Sequence, residues 1–254
     1  MAFNELEFFN FFMLIMIIVA ILVFISLLKV TVGYGQHTSE KWGPSINDKL
    51  GWFIMEVPTV IIYLIFYFIG DFQARFMTLL FLGLWMMHYG YRTFIFPVLI
   101  RGKRQIPITI VLFGIIFNSA NAYLQGRWIN TLSGGYVTSW LLTPVFIIGA
   151  IIFFSGFFMH VHSDHIIRTL RKPGETDFKI PYGGLFRFVS CPSYLGEITE
   201  WYGWSIMTWS ASGLVFAIWT SANLGPRARS NHRWYQETFE DYPKNRKALI
   251  PFIF

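Results

Sequence analysis

The chain has 254 residues, of which 54% are hydrophobic, 20% aromatic and only 13% charged, with a net charge of +6. That balance is too apolar for a soluble domain of this length, and the basic residues fall in clusters between apolar runs, not on one soluble face, which excludes a nucleic-acid partner. Cys191 is the only cysteine, so an intrachain disulfide and a multi-cysteine metal site are both excluded.

The first predicted element is a membrane span. Phe8 to Leu28 carries no charge over 21 positions, and about 1.5 Å per residue carries it across the roughly 30 Å hydrocarbon core. Glu5 and Glu7 precede it, where a cleaved secretory leader would carry positive charge, so the run reads as a retained anchor. Nearly uncharged stretches recur at Trp52 to Gly70, Phe76 to Ile100, Ile106 to Gly126 and Trp140 to His160, with a longer one at Tyr194 to Ala222. Between them, basic and poor connections alternate. Lys29 to Lys49 holds three Lys/Arg, Arg101 to Arg104 three, Arg168 to Arg187 five and the tail from Arg227 six, whereas the connections around Arg75 and Arg127 hold one each. The positive-inside rule then puts the Arg168 to Arg187 segment and the tail on one side, which makes Tyr194 to Ala222 a hairpin turning near Trp209 to Gly213. The expected fold is an all-α integral membrane protein of seven helices in one domain over residues 1–254, amino terminus outside and carboxyl terminus cytoplasmic. Gly33-Tyr34-Gly35 lacks the third glycine and the flanking strand of a dinucleotide fingerprint, so no Rossmann domain is expected.

Charged side chains inside spans are costly and mark candidate function. Glu56, Arg92, Glu197 and Glu200 stand out, with His88 and Tyr89 beside Arg92. His160, Asp164, Arg168 and Arg171 are spaced four, four and three, so one helix face carries them out of the membrane. Under the seven-span topology these groups converge on the cytoplasmic layer. Arginines beside embedded carboxylates suit an anionic, partly buried ligand such as a nucleotide cofactor. Any one of these charges also reads as an ion pair between helices, and Arg101, Lys103 and Arg104 as a topology signal. No metal site is expected, because residues 160 and 162 point about 200 degrees apart on a helix.

These residues, with several longer motifs, resemble the steroid 5α-reductase family, and within it the mammalian type 2 branch, along nearly the whole chain. The likeness is carried by Val32-Gly33-Tyr34-Gly35 with His37-Thr38, by Trp52-Phe53 with Glu56 and Pro58, and by His88-Tyr89 with Arg92-Thr93-Phe94. It continues through His162-Ser163-Asp164, Leu170-Arg171-Lys172-Pro173-Gly174-Glu175, Gly183-Gly184-Leu185-Phe186 and Leu195-Gly196-Glu197. The tail motifs are Phe239-Glu240-Asp241-Tyr242-Pro243-Lys244 and Arg246 through Phe254.

The resemblance implies NADPH-dependent reduction of the 4,5 double bond of a 3-oxo-4-ene steroid in a seven-helix membrane fold. Tyr89 then hydrogen-bonds the substrate carbonyl, and Glu56, neutral or tightly hydrogen-bonded, supports the phenol. The implied cofactor set is Tyr34, Arg92, Lys103, Asp164, Arg168, Arg171, Glu197, Arg227 and Tyr235, with Arg171 and Arg227 on the phosphates. Four positions depart from the family: Ser193 and His160 stand in place of asparagines, Asn231 in place of a histidine with His232 adjacent, and Lys103 in place of an arginine. Phe117, Asn118 and Phe216 are the expected substrate lining.

A different lipid enone or polyprenol could use the same Tyr89 and Glu56 roles. An isoprenylcysteine-type methyltransferase and a proton-coupled transporter are rivals from other classes. The location implied is a bacterial inner membrane or an endoplasmic reticulum with the site open to the cytoplasm, and no obligate protein partner is expected beyond membrane lipid.

Overall fold

In a computed structural model of the protein, the structure describes residues 4–101, 104–170, 175 and 177–254. Lys103 and Arg171, both candidate cofactor ligands, lie outside the described residues. The helices are α1 (Glu5–Leu27), α2 (Asp48–Phe68), α3 (Phe76–Gly90), α4 (Phe96–Leu99), α5 (Ile108–Arg127), α6 (Pro144–Thr169), α7 (Pro192–Thr208) and α8 (Ala211–Thr238). Two three-residue strands, β1 (Ser45–Asn47) and β2 (Gln105–Pro107), pair antiparallel and depart from the purely α expectation.

Among the described residues, four helical segments are long and apolar enough to cross a bilayer: Glu5–Leu27, Asp48–Phe68, Ile108–Leu132 and Pro144–Thr169. This is a mostly helical membrane protein. α3 and α4 are joined by a π-helical turn over Tyr91–Ile95, so the apolar run Phe76 to Ile100 forms one continuous helical path made of shorter pieces. The Tyr194 to Ala222 stretch does turn back. α7 ends at Trp209, whose φ of 45° is left-handed, and Ser210 caps α8 by accepting from the Gly213 amide at 3.0 Å.

The chain divides into two compact units. The first comprises Met1–Met13 and Gly33–Thr143. Its centre is the α2 and α5 pair, where Gly114 lets Met55 approach closely: a Cβ there would lie 2.1 Å from Met55 Cγ. The short strands tie the entrances of these two helices together, with Ser45 opposite Pro107. Arg127 at the far end of α5 holds Glu5 of α1, with Nε 2.5 Å from Oε1.

The second unit comprises Leu14–Val32 and Pro144–Phe254. Here α6 and α7 meet backbone to backbone along glycines spaced seven apart, Gly149 and Gly156 on α6 and Gly196 and Gly203 on α7. A Cβ on Gly156 would fall 2.2 Å from the Glu200 amide nitrogen, and one on Gly203 2.3 Å from that of Phe153. In lipid, where apolar side chains gain little by leaving one solvent for a similar one, such close backbone contact drives helix association. The carboxyl-terminal tail is laid beside the start of α7: Ser190 donates its amide to the Lys247 carbonyl at 2.8 Å and Cys191 to that of Ala248 at 3.1 Å. Arg246, 3% exposed, lies 4.9 Å from the Tyr182 ring and 5.2 Å from the Tyr242 ring and anchors the tail through cation–π contact.

Candidate functional site

In the first unit, a polar ladder crosses an otherwise apolar helix pair. Asn118, Asn121 and Gln125 follow one another at steps of three and four on α5, so they share a face. Asn118 Nδ2 donates to the Met55 carbonyl at 2.7 Å and to Glu56 Oε2 at 3.1 Å. Gln125 Nε2 donates to Asn121 Oδ1 at 3.2 Å, and Asn121 Nδ2 donates to the Tyr89 hydroxyl at 3.3 Å. Each amide therefore has a defined orientation, and the two donors converge on the carboxylate of α2 and the phenol of α3.

All five groups are buried. Glu56 is 5% exposed, Tyr89 3%, Asn118 6%, Asn121 2% and Gln125 0%. Placing them out of water requires that their polar atoms be satisfied within the protein. Arg92 Nη2 lies 3.6 Å from Glu56 Oε1, and its guanidinium sits 4.6 Å from the Trp52 ring and 5.1 Å from the Phe96 ring. Arg92 is thus held as the cation beside Glu56, a contact that its expected cofactor role did not include. Its position in the π-helical turn is of the kind found where a helix is widened at a functional residue. Tyr34 packs edge-on to Trp52 at 6.5 Å, and Phe117 is half-buried on α5 beside Asn118. The Tyr89 ring is fixed by Trp85 at 4.5 Å and His88 at 4.9 Å, with Trp85 itself stacked on Tyr63 at 4.8 Å. A phenol so packed, with its oxygen accepting from an amide, has the chemistry of a donor that can polarise a carbonyl.

The second unit gathers a different set. His160 is 1% exposed, and its Nδ1 lies 3.0 Å from Ser193 Oγ, which donates to Asp164 Oδ1 at 2.7 Å. Asp164 Oδ2 approaches His160 Nε2 at 3.5 Å, and Glu197 Oε2 approaches Nδ1 at 3.9 Å. α6 carries the stripe as far as Arg168, whose Nη2 lies 2.9 Å from His165 Nδ1. His162 is exposed, stacked on Phe158 at 5.7 Å, as expected of residues pointing oppositely from His160. Arg227 donates to the Tyr194 hydroxyl at 3.1 Å, and Asn231 lies 3.4 Å from the same oxygen. Tyr235, also buried, stacks on Tyr242 at 5.2 Å. Phe216 packs against Trp201 at 4.2 Å.

His232 does not join Asn231. Its Nδ1 lies 2.6 Å from Ser190 Oγ, which also lies 2.6 Å from the Tyr242 hydroxyl. Burial, and then Lys247, lower the His232 pKa below its ordinary 6.5, while burial raises that of Tyr242. Burial likewise pushes the Cys191 thiol up to about 12, which makes it inert as a nucleophile. His232 thus belongs to the tail anchor. Asn121, Gln125, Ser190 and Tyr194 were not picked out from the sequence. Neutral amides at steps of three and four in a predicted span were the signal for the first two. Ser190 and Tyr194 carried none.

Comparison with known proteins finds relatives along nearly the whole chain. The family model described as 3-oxo-5-alpha-steroid 4-dehydrogenase matches residues 104–254. Steroid 5-alpha-reductase DET2 of Gossypium hirsutum is 40% identical over 251 residues, 97% of either chain. The protein of the same name in Solanum lycopersicum is 41% identical over 251 residues, again 97% of either chain. The 3-oxo-5-alpha-steroid 4-dehydrogenase 1 of Mus musculus is 40% identical over 237 residues, 92% of either chain.

Proposed function

The chain belongs to the 3-oxo-5-alpha-steroid 4-dehydrogenase family, and from that premise we propose that it reduces the 4,5 double bond of 3-oxo-4-ene steroids to 5α-dihydro products with NADPH. Membership makes it an oxidoreductase acting on steroid CH–CH bonds. The observation that carries the finer reading is the α5 ladder, which supplies Asn118 to Glu56 and Asn121 to Tyr89.

Reduction of an enone places growing negative charge on the carbonyl oxygen, so a donor held beside that oxygen lowers the barrier. Tyr89 is the donor. Asn121 keeps its oxygen in place as an acceptor, and Trp85 and His88 limit rotation of the ring. Glu56, fixed by Asn118 and Arg92, orients the substrate end of this assembly. Phe117 on α5 offers an apolar surface for a sterol skeleton.

The residues of the second unit fit a dinucleotide phosphate. Asp164 presents a buried carboxylate oxygen, Oδ2, with no hydrogen bond from the described residues, suited to a ribose hydroxyl. Glu197, Ser193 and His160 extend that polar surface, and Arg227 and Arg168 offer cations for phosphate, with Tyr235 and Asn231 alongside. NADPH, when bound, supplies the hydride that the β carbon of the enone accepts. Tyr89 stabilises the oxygen through that change, and a proton at the α carbon completes the reduction.

The reading counts α3 with α4, α7 and α8 as three further crossings beside the four long apolar helices, and the positive-inside rule then puts the carboxyl terminus in the cytoplasm. The test is turnover by membranes expressing the chain, with testosterone or progesterone and NADPH or NADH, products being matched to 5α and 5β standards by mass spectrometry. NADPH-dependent 5α product is the expected result. NADPH binding without product would redirect the reading to another lipid enone, and absence of both would refute it.

A further inference from the structure

A second polar feature is built from residues given no role above. Within the second unit, the chain leaving α1 and the far half of α8 line a groove that includes Leu27, Lys29, Thr31, Arg229, Ser230 and Arg233. Three cations and two hydroxyls face it, and no carboxylate is among its lining residues. Arg229 and Arg233 are four apart on α8, so they lie one above the other on the same exposed face. Like charges at that spacing repel, and Lys29 adds a third. None of the three forms a salt bridge among the described residues, although Arg92 and Arg127 elsewhere are paired with glutamates. Such a cluster is stabilised by an anion.

The level of the groove indicates which anion. α1 is apolar from Phe8 to Leu28, and Lys29 is the first charge after it. α8 is uncharged from Ala211 to Pro226, after which its arginines begin. Both chains therefore leave the apolar layer at the groove, which sets it at the depth of lipid headgroups. Four and seven residues back along α1 from Lys29, Ile25 at 49% and Leu22 at 57% are exposed, an apolar track on which an acyl chain can lie. A soluble phosphate would have no use for that track.

We propose that this groove binds an anionic phospholipid, its phosphate held by Lys29, Arg229 and Arg233 with hydrogen bonds from Thr31 and Ser230, and its acyl chain along α1. The chemistry is that of basic pockets at helix exits which retain acidic headgroups. The site is independent of the reductase reading, since none of its residues has been given a role there.

The test uses the full chain in phosphatidylcholine nanodiscs doped with either photoactivatable phosphatidylglycerol or photoactivatable phosphatidylcholine. After illumination and digestion, the phosphatidylglycerol probe is expected to label residues 27–31 and 226–233 on the order of tenfold more than the neutral probe. Lys29→Gln/Arg229→Gln/Arg233→Gln should abolish that excess, and Arg229→Lys/Arg233→Lys should keep most of it. Equal labelling by the two lipids, or an undiminished excess in the triple glutamine variant, overturns the proposal. So does displacement of the probe by millimolar NADPH or pyrophosphate, which would assign the groove to a soluble phosphate. Should the triple variant fail to fold, salt decides on the wild type. The preference must fall as the screening length shortens to about 3 Å near 1 M salt, and a salt-insensitive preference overturns it equally.

Discussion

Asn121→Leu is expected to slow reduction with little change in steroid or cofactor affinity. The substitution keeps the side-chain volume and removes the Nδ2–H that the Tyr89 hydroxyl accepts at 3.3 Å. A neutral hydrogen bond of that length contributes about 1 kcal/mol net, and a donor released from its angular constraint loses a comparable share of its preference for the transition state. Together these amount to about 1–2 kcal/mol, or roughly five- to thirtyfold in kcat. The same change removes the acceptor Asn121 Oδ1 from the fully buried Gln125 Nε2, and losing that hydrogen bond costs about 1 kcal/mol of stability. Stability and rate can be separated by Asn121→Leu/Gln125→Leu. Removing both partners should restore much of the thermal midpoint while kcat stays low. The assay is steady-state reduction of testosterone by detergent-purified protein, with KM and kcat resolved and the midpoint read by thermal shift. Wild-type kcat in the single variant, or recovery of kcat in the double variant, would refute the positioning of Tyr89 by Asn121.

Arg92→Met should destabilise the protein by about 3 kcal/mol, because it removes the cation 3.6 Å from a nearly buried carboxylate, and adding Glu56→Gln should recover most of the loss in a chemical-denaturation series. A double variant no more stable than the single would show that the two side chains are not coupled. Gly156→Ala should sharply reduce the yield of folded protein, since its Cβ would meet the Glu200 backbone at 2.2 Å, whereas Gly83→Ala on α3, with nothing within 4 Å, should be neutral or mildly stabilising on size-exclusion and thermal-shift assays. The tail anchor should be pH-sensitive. His232 has a folded pKa below its ordinary 6.5, so its contribution is present above 6.5 and is lost as pH falls through the lowered value. The thermal midpoint should therefore drop with acidification in that window, and His232→Gln should flatten the drop.

Spans were legible because apolar length is a one-dimensional property. Phe8 to Leu28 became α1 and Trp52 to Gly70 became α2 with ends shifted by a few residues. The turn at Trp209 was legible too, from the charge balance that demanded it. Ends governed by helix propensity and capping were not: α6 runs on to Thr169 and α8 to Thr238, where in α8 the Arg, Ala, Gln and Glu residues after Pro226 sustain the helix without hydrophobicity. The pairing of Ser45–Asn47 with Gln105–Pro107 joins segments about sixty residues apart, and no local pattern in three residues can announce it. Likewise, the four glycines between α6 and α7 declare themselves only when the two helices are seen together.

The site was legible in its charges and illegible in its amides, and the reason is energetic. A carboxylate or guanidinium in a span is expensive enough to be noticed singly, which is how Glu56, Arg92, Glu197 and Glu200 were found. A buried amide costs less, so Asn121 and Gln125 attract attention only as members of a set. Their consequence is nevertheless larger than their cost. Gln125 donates to Asn121, and Asn121 donates to Tyr89, so these two bonds run in one direction towards the phenol. If Tyr89 donates to a substrate oxygen, that direction continues outward without a reversal, and each bond polarises the next. A single amide could place the phenol; an ordered pair of them also makes it a better donor.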